Sequence, residues 1–373
     1  MSNELNSYKY LCFNGVDFTN FVLFVKSMNM KDKSKCAKNI LLHVENDKLV
    51  CRAVDDSSNY IEYYVDLIND IPYSVIDDYI VASIGDLATL IKCSNSNRFV
   101  IRKQHNNCEF NVIGNGWLPF KILDADKSKF TIEGDESDLG IVNSAKLRNA
   151  ISAVLGYTQE YTHARDKYIQ FSKSQMVVTS RLSSVVMFDD FIDMTLHRDD
   201  AAMLRSLLKD NFDLVVHKIS SSVDRLVFIG PKFKLSTIAV GVEQFNTNYI
   251  ADIKDYVTVD CDELYKIVTV AEEYSASKRI VGLSIKNGKL QTNVKNNLAA
   301  RHVSVMESTT IGDVKDTTKE ADVPAHNLLK TLKLFQDKHT KNINIYITDD
   351  LTNSNYIIIF DNNTQSIINI CNR

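Results

Sequence analysis

The sequence predicts an α+β protein made of three tandem copies of one domain, each copy itself doubled, with antiparallel strands covered on one side by helices. Two recurrences carry that prediction: one hairpin pattern appears three times, and one amphipathic helix pattern appears six times, each followed by strands. The hairpin reads Ile40-Leu-Leu-His-Val-Glu-Asn-Asp-Lys-Leu-Val-Cys-Arg-Ala-Val54 near the start and Tyr168-Ile-Gln-Phe-Ser-Lys-Ser-Gln-Met-Val-Val-Thr-Ser-Arg181 near the middle. In the last third it reads Val281-Gly-Leu-Ser-Ile-Lys-Asn-Gly-Lys-Leu-Gln-Thr-Asn-Val294. The residues leaving the turn, Leu49, Met176 and Leu290, are 127 and 114 positions apart, close to one third of 373 residues. A repeat at that period points to a pseudo-symmetric assembly rather than to one catalytic pocket.

In the first third, Phe18, Phe21, Val22 and Val25 fall at i, i+3, i+4, i+7 and predict a helix over 17–28 with one buried face. The hairpin follows. A shorter helix over 84–93 carries Leu87, Leu90 and Ile91, and Ser83 with Asp86 resembles its cap. A strand pair, 98–103 and 108–113, closes the third.

The second third repeats the order: a helix over 144–157 (Leu147, Ile151, Val154, Leu155), the hairpin, a helix over 199–208 (Met203, Leu204, Leu207, Leu208), then strands 212–218 and 225–229. The last third opens with a helix over 261–274 (Leu264, Ile267, Val268, Ala271), whose start, Asp260-Cys-Asp-Glu263, resembles a capping box. After its hairpin come a helix over 325–335 (Leu328, Leu329, Leu332), with Pro324 suited to a first helical position, and strands 342–348, 356–360 and 365–371. The repeating unit is therefore a half-domain of one helix and about four strands, six per chain. Polar, charged connectors near 126–130 and 252–255 divide the chain into domains 1–127, 128–253 and 254–373.

Composition excludes several classes. No apolar run approaches the roughly 18 residues of a membrane span. The stretch Met1–Tyr10 lacks the basic and apolar regions of a leader, so a cytoplasmic protein is expected. Seven scattered cysteines without a Cys-x-x-Cys pair suit reduced thiols. No phosphate loop, dinucleotide fingerprint, nucleophile elbow or zinc-protease motif occurs. The eight histidines do not group with the cysteines at metal-ligand spacing. Acidic pairs such as Asp55-Asp56 and Asp189-Asp190 suit turns and an acidic outer surface. No catalytic residue, metal or cofactor is expected, and the chain is read as not an enzyme.

The net charge of −4 hides a distribution. The six helical windows with their flanking turns sum to +7, which leaves −11 for the remainder. Helices that all face one way would make one basic surface, and lysines spread over such a surface contact phosphates without reading bases.

Six half-domains in three tandem domains, with basic helices on one side, resemble the bacterial and phage β sliding clamp, the processivity factor of DNA replication. The similarity spans the chain. It is most specific at Val259-Asp-Cys-Asp-Glu-Leu-Tyr-Lys-Ile-Val-Thr-Val-Ala-Glu-Glu-Tyr-Ser275 with the hairpin from Val281, at Thr179-Ser-Arg-Leu182, and at the end, Ser366-Ile-Ile-Asn-Ile-Cys-Asn-Arg373. The divergence fits a phage or mobile-element version.

The resemblance implies a DNA-clamp fold with helices on the inner face and antiparallel sheets outside. It also implies a head-to-tail homodimeric ring around duplex DNA that tethers a polymerase, and a clamp loader that shares the short apolar peptide motifs of such partners. DNA-binding candidates are Lys26, Lys33, Lys35, Lys92, Lys146, Arg148, Arg205, Lys209, Lys330 and Lys333. By matching motif, Thr179, Arg181 and Leu182 form one wall of a partner-peptide pocket and Ile367 and Ile370 another, with Ile250 at the connector. Ring closure would use Phe110 and Val112 against Glu273 and Tyr274, where clamps have an apolar pair. The alternative is a monomeric clamp-fold scaffold that binds polymerase without encircling DNA.

Overall fold

The structure is a computed structural model that describes residues 8–28, 37–68, 76, 78–94, 97–105, 107–112, 116–124, 126–156, 167–179, 183–241, 253, 255–274, 280–295, 301–306, 308–311, 321–347, 356–362 and 364–369. Among them are six α-helices: α1 (Gly15–Ser27), α2 (Ile84–Lys92), α3 (Ser144–Val154), α4 (Arg198–Leu207), α5 (Cys261–Tyr274) and α6 (Ala325–Asp337).

The strands form six four-stranded half-sheets of two kinds. One kind joins the strand leading into the first helix of each third to the three strands after its second helix. The order is β1 (Lys9–Asn14), β6 (Arg98–Gln104), β7 (Asn107–Val112), β8 (Gly116–Lys121) in the first third. It recurs as β9 (Asp135–Asn143), β14 (Asp213–Ser220), β15 (Arg225–Ile229), β16 (Phe233–Ile238), and as β17 (Tyr256–Asp260), β23 (Asn342–Ile347), β24 (Tyr356–Phe360), β25 (Thr364–Asn369).

The other kind joins the strand leading into the second helix to the three strands after the first. It is β5 (Ile80–Ser83), β2 (Asn39–Glu45), β3 (Lys48–Val54), β4 (Tyr60–Asp66), then β13 (Met194–His197), β10 (Tyr168–Ser172), β11 (Gln175–Thr179), β12 (Ser183–Phe188). Its third copy is β22 (Ala321–Pro324), β18 (Ile280–Lys286), β19 (Lys289–Lys295), β20 (Arg301–Val305). A short β21 (Ser308–Ile311) adds to the free side of β17.

The half-sheets fuse at two seams. β4 pairs antiparallel with β16, making an eight-stranded sheet, and β12 pairs antiparallel with β25 within a nine-stranded one. The chain accordingly clusters into two compact units. One comprises Met1–Ala145 with Ser206–Ala239, and the other Lys146–Arg205 with Val240–Arg373. The middle third is thus shared between them.

Local chemistry accounts for the element ends. Asn14 caps α1 by accepting from the N–H groups of Val16 and Asp17 at 2.9 and 3.1 Å. Ser83 accepts from Gly85 N–H at 3.1 Å, and Asp260 from Glu263 N–H at 2.9 Å, as the sequence predicts for those two starts. Pro324 sits one residue earlier than expected, at the cap position, and makes no side-chain cap bond. The two-residue turns Asn46-Asp47 and Asn287-Gly288 have positive φ at both positions, the mirror-image turn that matches strand twist.

Most residues of the predicted helix faces are buried, while Ile91, Leu155, Met203, Leu207, Ile267 and Leu329 are half-buried. Phe18, Phe21, Val22 and Val25 have no exposed surface. Leu264, Val268 and Ala271 of α5 share one core with Leu328, Leu332 and Phe335 of α6 and with Val281, Leu283 and Leu290 of the hairpin. Each such side chain contributes about 1.5–3 kcal/mol by leaving water. Helix α3 stops at Val154, three residues before its predicted end, and α6 runs to Asp337, two residues past its predicted end.

Candidate nucleic-acid and partner interfaces

Of the ten cations proposed for DNA, Lys26, Lys92, Arg205, Lys209, Lys330 and Lys333 are exposed, and Lys33 and Lys35 lie outside the described residues. Lys146 and Arg148 are half-buried. Lys146 is held by its own unit, with Nζ 2.7 Å from Asp189 and 5.3 Å above the Phe191 ring. Lys333 pairs with Asp337 at 2.9 Å, one turn along the same helix, and Lys330 donates to the Gly156 carbonyl at 3.2 Å. Both lysines open onto a shallow cavity of about 430 Å³ also lined by Tyr265 and His326. Lys209 borders a cavity of about 360 Å³ walled by Phe24, Tyr63, Phe212 and Phe233. Beside it Lys232 bonds Asp17 at 2.8 Å, and that hydrogen bond raises the lysine's pKa.

The positive charge is unevenly placed. Helix α1 exposes Val16, Leu23 and Lys26, whereas α5 exposes Asp262, Glu263 and Glu273 against Lys266. Among the DNA candidates, the exposed cations on helices are Lys26 of α1, Lys92 of α2, Arg205 of α4 and Lys330 and Lys333 of α6.

Two of the partner candidates, Thr179 and Ile367, fall on strands of the second seam. In the second seam Thr179 is opposite Ser184, and Ser184 is opposite Ile367. Arg181, Leu182, Ile250 and Ile370 lie outside the described residues, as do the side chains of Thr179 and Ile367. The first seam carries a different row. Arg52 is opposite Glu62, and Glu62 is opposite Lys234.

Glu62, 8% exposed, accepts from Arg52 Nε at 2.5 Å, from Tyr60 OH at 2.7 Å and from Tyr64 OH. Burial pushes its carboxyl pKa up, but the Tyr64 and Tyr60 hydrogen bonds and the Arg52 guanidinium outweigh that and hold it below the usual carboxylate range. Burial, with the Glu62 charge and hydrogen bond, raises both phenols. Sequence reading missed this cluster. Its signal is the alternation of Tyr60, Glu62 and Tyr64 on one strand face, opposite Arg52.

The sheet ends are also informative. β8 terminates the sheet β1-β6-β7-β8, and β20 terminates β20-β19-β18-β22. Among the described residues each pairs with one neighbour. Beside β8, the Arg102 guanidinium is stacked between Tyr8 at 4.7 Å and Trp117 at 4.1 Å and is paired with Glu109.

One interface candidate is corrected. Phe110 has no exposed surface and packs against Phe99 at 5.1 Å, because strand alternation turns it to the core while Glu109 and Asn111 face outward. It cannot meet a second chain. Val112 is half-buried and Glu273 exposed, and the side chain of Tyr274 lies outside the described residues.

Six half-sheets of one strand order, fused pairwise at two seams, match known structures along the whole chain. The DNA polymerase III subunit beta of Pseudomonas aeruginosa superposes with a TM-score of 0.78 at 14% identity, over 98% of this chain and 100% of that one. The chain has the sliding-clamp fold. A putative DNA polymerase III beta subunit from Eubacterium rectale matches with a TM-score of 0.75 at 12% identity, covering 98% of this chain and 100% of that one. A sliding clamp from Bartonella birtlesii, bound to griselimycin, matches at 0.76 and 14%, again over 98% and 100%. No protein-family model and no curated protein matches.

Among the described residues, no cluster of three or more His, Cys, Asp or Glu is placed to hold a metal ion, and no helix is long and apolar enough to cross a membrane.

Proposed function

We propose that this chain is a DNA sliding clamp of a bacterial cytoplasm or nucleoid: two copies close head to tail into a ring that encircles duplex DNA and tethers the replicative polymerase. The observation that carries the reading is the pair of open sheet ends. β4, β12 and β20 are the same strand of the repeat, as are β16, β25 and β8. Two pairs are joined, β4 to β16 and β12 to β25. The remaining equivalents, β20 and β8, end their sheets. An unpaired edge is a template for another chain. A β20 of one copy meeting the β8 of its partner repeats the existing seam and leaves no edge of that type open. Because the contact is heterologous, two copies close it only as a ring.

On this reading the domains are 1–127, 128–253 and 254–373, and the sheets run across both boundaries. Lys26, Lys92, Arg205, Lys209, Lys330 and Lys333, with Lys33, Lys35, Lys146 and Arg148, give weak phosphate-directed attraction, which suits a protein that must slide. Polymerase and loader peptides enter the second seam, between Thr179, Arg181 and Leu182 on one side and Ile367 and Ile370 on the other, near Ile250. The role is mechanical and asks no chemistry of the clamp. Griselimycin, seen on sliding clamps of P. aeruginosa and B. birtlesii, is a ligand to titrate against this chain, and competition with a polymerase peptide tests whether the two share a site.

One observation favours a second reading, a monomeric clamp-fold scaffold. Pro119 lies in β8, and a proline is a device that guards an edge. Size-exclusion chromatography with light scattering separates the two. A two-subunit mass at micromolar concentration supports the ring, and a one-subunit mass refutes it. Retention on nicked circular DNA, with loss on linear DNA, is the expected mark of encirclement.

A further inference from the structure

The cavity of about 360 Å³ beside Lys209 lies wholly within the first compact unit, Met1–Ala145 with Ser206–Ala239. It is built by α1, β4, the loop that follows α4 and the turn between β15 and β16. Its walls are held by contacts behind them. Ser144 Oγ donates to the Asp210 carbonyl and accepts from the Phe212 N–H, both at 2.8 Å, which fixes the loop that carries Lys209. The Phe212 ring meets Phe233 edge-on at 6.1 Å, and Tyr63 leans on Phe21 at 5.8 Å. Gly230 lets the turn come that close, because a Cβ there would lie 2.6 Å from the Phe233 ring and 3.1 Å from that of Phe212. Lys232 and Asp17 neutralise each other at 2.8 Å.

The groups that line the space divide by chemistry. Phe24, Tyr63 and Phe212 are half-buried and aromatic, whereas Asn20, Lys209, Asp210 and Asn211 are exposed and polar. Aromatic faces select a flat ring, side-chain amides and a carboxylate suit its polar edge, and a lysine suits a phosphate. A nucleotide offers all three features. Arg205, four residues before Lys209, adds a second exposed cation. The volume falls within the roughly 300–1,000 Å³ of small-ligand sites.

We propose that this cavity takes one unpaired nucleotide of a DNA strand, with its base against Phe24, Tyr63 and Phe212 and its phosphate at Lys209. A base inside a duplex is stacked on both faces and shows only its edges in the grooves, so the aromatic walls reach only a base that has left the stack. The site therefore discriminates a single-stranded tail from the duplex beside it. This inference rests on the DNA reading above.

Fluorescence anisotropy at low salt compares an end-labelled short single strand with a blunt duplex of the same sequence, both titrated with the full chain. The unaltered protein is expected to bind both. Phe24→Leu and Phe212→Leu, which keep an apolar side chain but remove the ring, should each weaken single-strand binding about 5-fold or more and leave duplex binding unchanged. Lys209→Gln should lower the salt slope for the single strand by about 0.7. Circular dichroism confirms folding, and Lys209→Gln, at an exposed position, decides if neither leucine variant folds. Free deoxyadenosine monophosphate, the other source of such a ligand, should compete only at much higher concentration than the strand, and tighter binding of the free nucleotide overturns the strand as its ligand. Duplex binding together with single-strand binding that no variant weakens beyond the duplex overturns the nucleotide site and leaves the clamp reading standing. Binding of neither DNA by the unaltered protein overturns the DNA reading and this proposal with it.

Discussion

The open edge of β8 makes ring closure testable by a single substitution. Pro119 pairs with Glu109 of β7, so its missing N–H belongs on the open side of the strand. Alternate residues of a strand point their N–H groups the same way, which places the N–H of Lys121 on that side too. Lys121 is exposed, so Lys121→Pro removes one donor from the edge and nothing from the core. The existing seams hold four and five residue pairs, hence a similar number of backbone bonds. Losing one at about 1 kcal/mol, in each of two seams per ring, weakens closure by about 2 kcal/mol. That corresponds to a dissociation constant raised on the order of 30-fold. The converse change, Pro119→Ala, adds a donor and tightens the ring by a similar factor. Sedimentation equilibrium reads both constants. Trp117 on β8, the one tryptophan of the chain, reports edge pairing independently by its fluorescence. An unchanged dissociation constant in both variants, with unfolding midpoints also unchanged, would refute pairing through β8.

Three further outcomes follow from described contacts. Lys26→Gln and Arg205→Gln, at exposed helix positions, should each lower the salt dependence of DNA binding by about one phosphate equivalent, and an unaltered slope removes that residue from the DNA surface. Glu62→Ala removes the shared acceptor of Arg52, Tyr60 and Tyr64 and leaves Arg52 with Glu45 at 3.6 Å, so a loss of about 2–3 kcal/mol is expected in urea unfolding. Because the folded-state pKa of Glu62 is depressed, its stabilising effect is present above the unfolded carboxylate pKa and disappears as pH falls through the folded value. Acid titration of the E62Q variant should lack that phase. Asn14→Ala, which frees the N–H groups of Val16 and Asp17, should cost about 1 kcal/mol, and a change below a few tenths would show the cap to be idle.

Helices and hairpins were legible in the chain because their signals are local. The spacing of Phe18, Phe21, Val22 and Val25 needs only one buried face, and Asn287-Gly288 needs only a turn with positive φ. The strands that the sequence does not announce are those whose pairing is remote. β4, β8, β12, β16 and β20 are not among the predicted strands, and β8 contains a proline. Their meaning lies in which distant edge they meet. The Phe110 misassignment has the same origin: an aromatic residue on a strand looks alike from either face until its neighbours are known.

The sequence by itself determined the repeat, the six helices, their buried faces and the expectation of a clamp. The repeat, the helices and their faces follow from periodicity and local hydrogen bonding, which a linear chain encodes position by position, and the clamp expectation follows from resemblance to a known family. Tertiary structure alone decided the seams. It showed that β4 meets β16 and β12 meets β25, that β8 and β20 end their sheets among the described residues, and that Arg52, Tyr60 and Tyr64 converge on the Glu62 carboxylate. The seams depend on edges brought together across more than a hundred residues, and register between remote strands is set by packing rather than by any pattern within either strand.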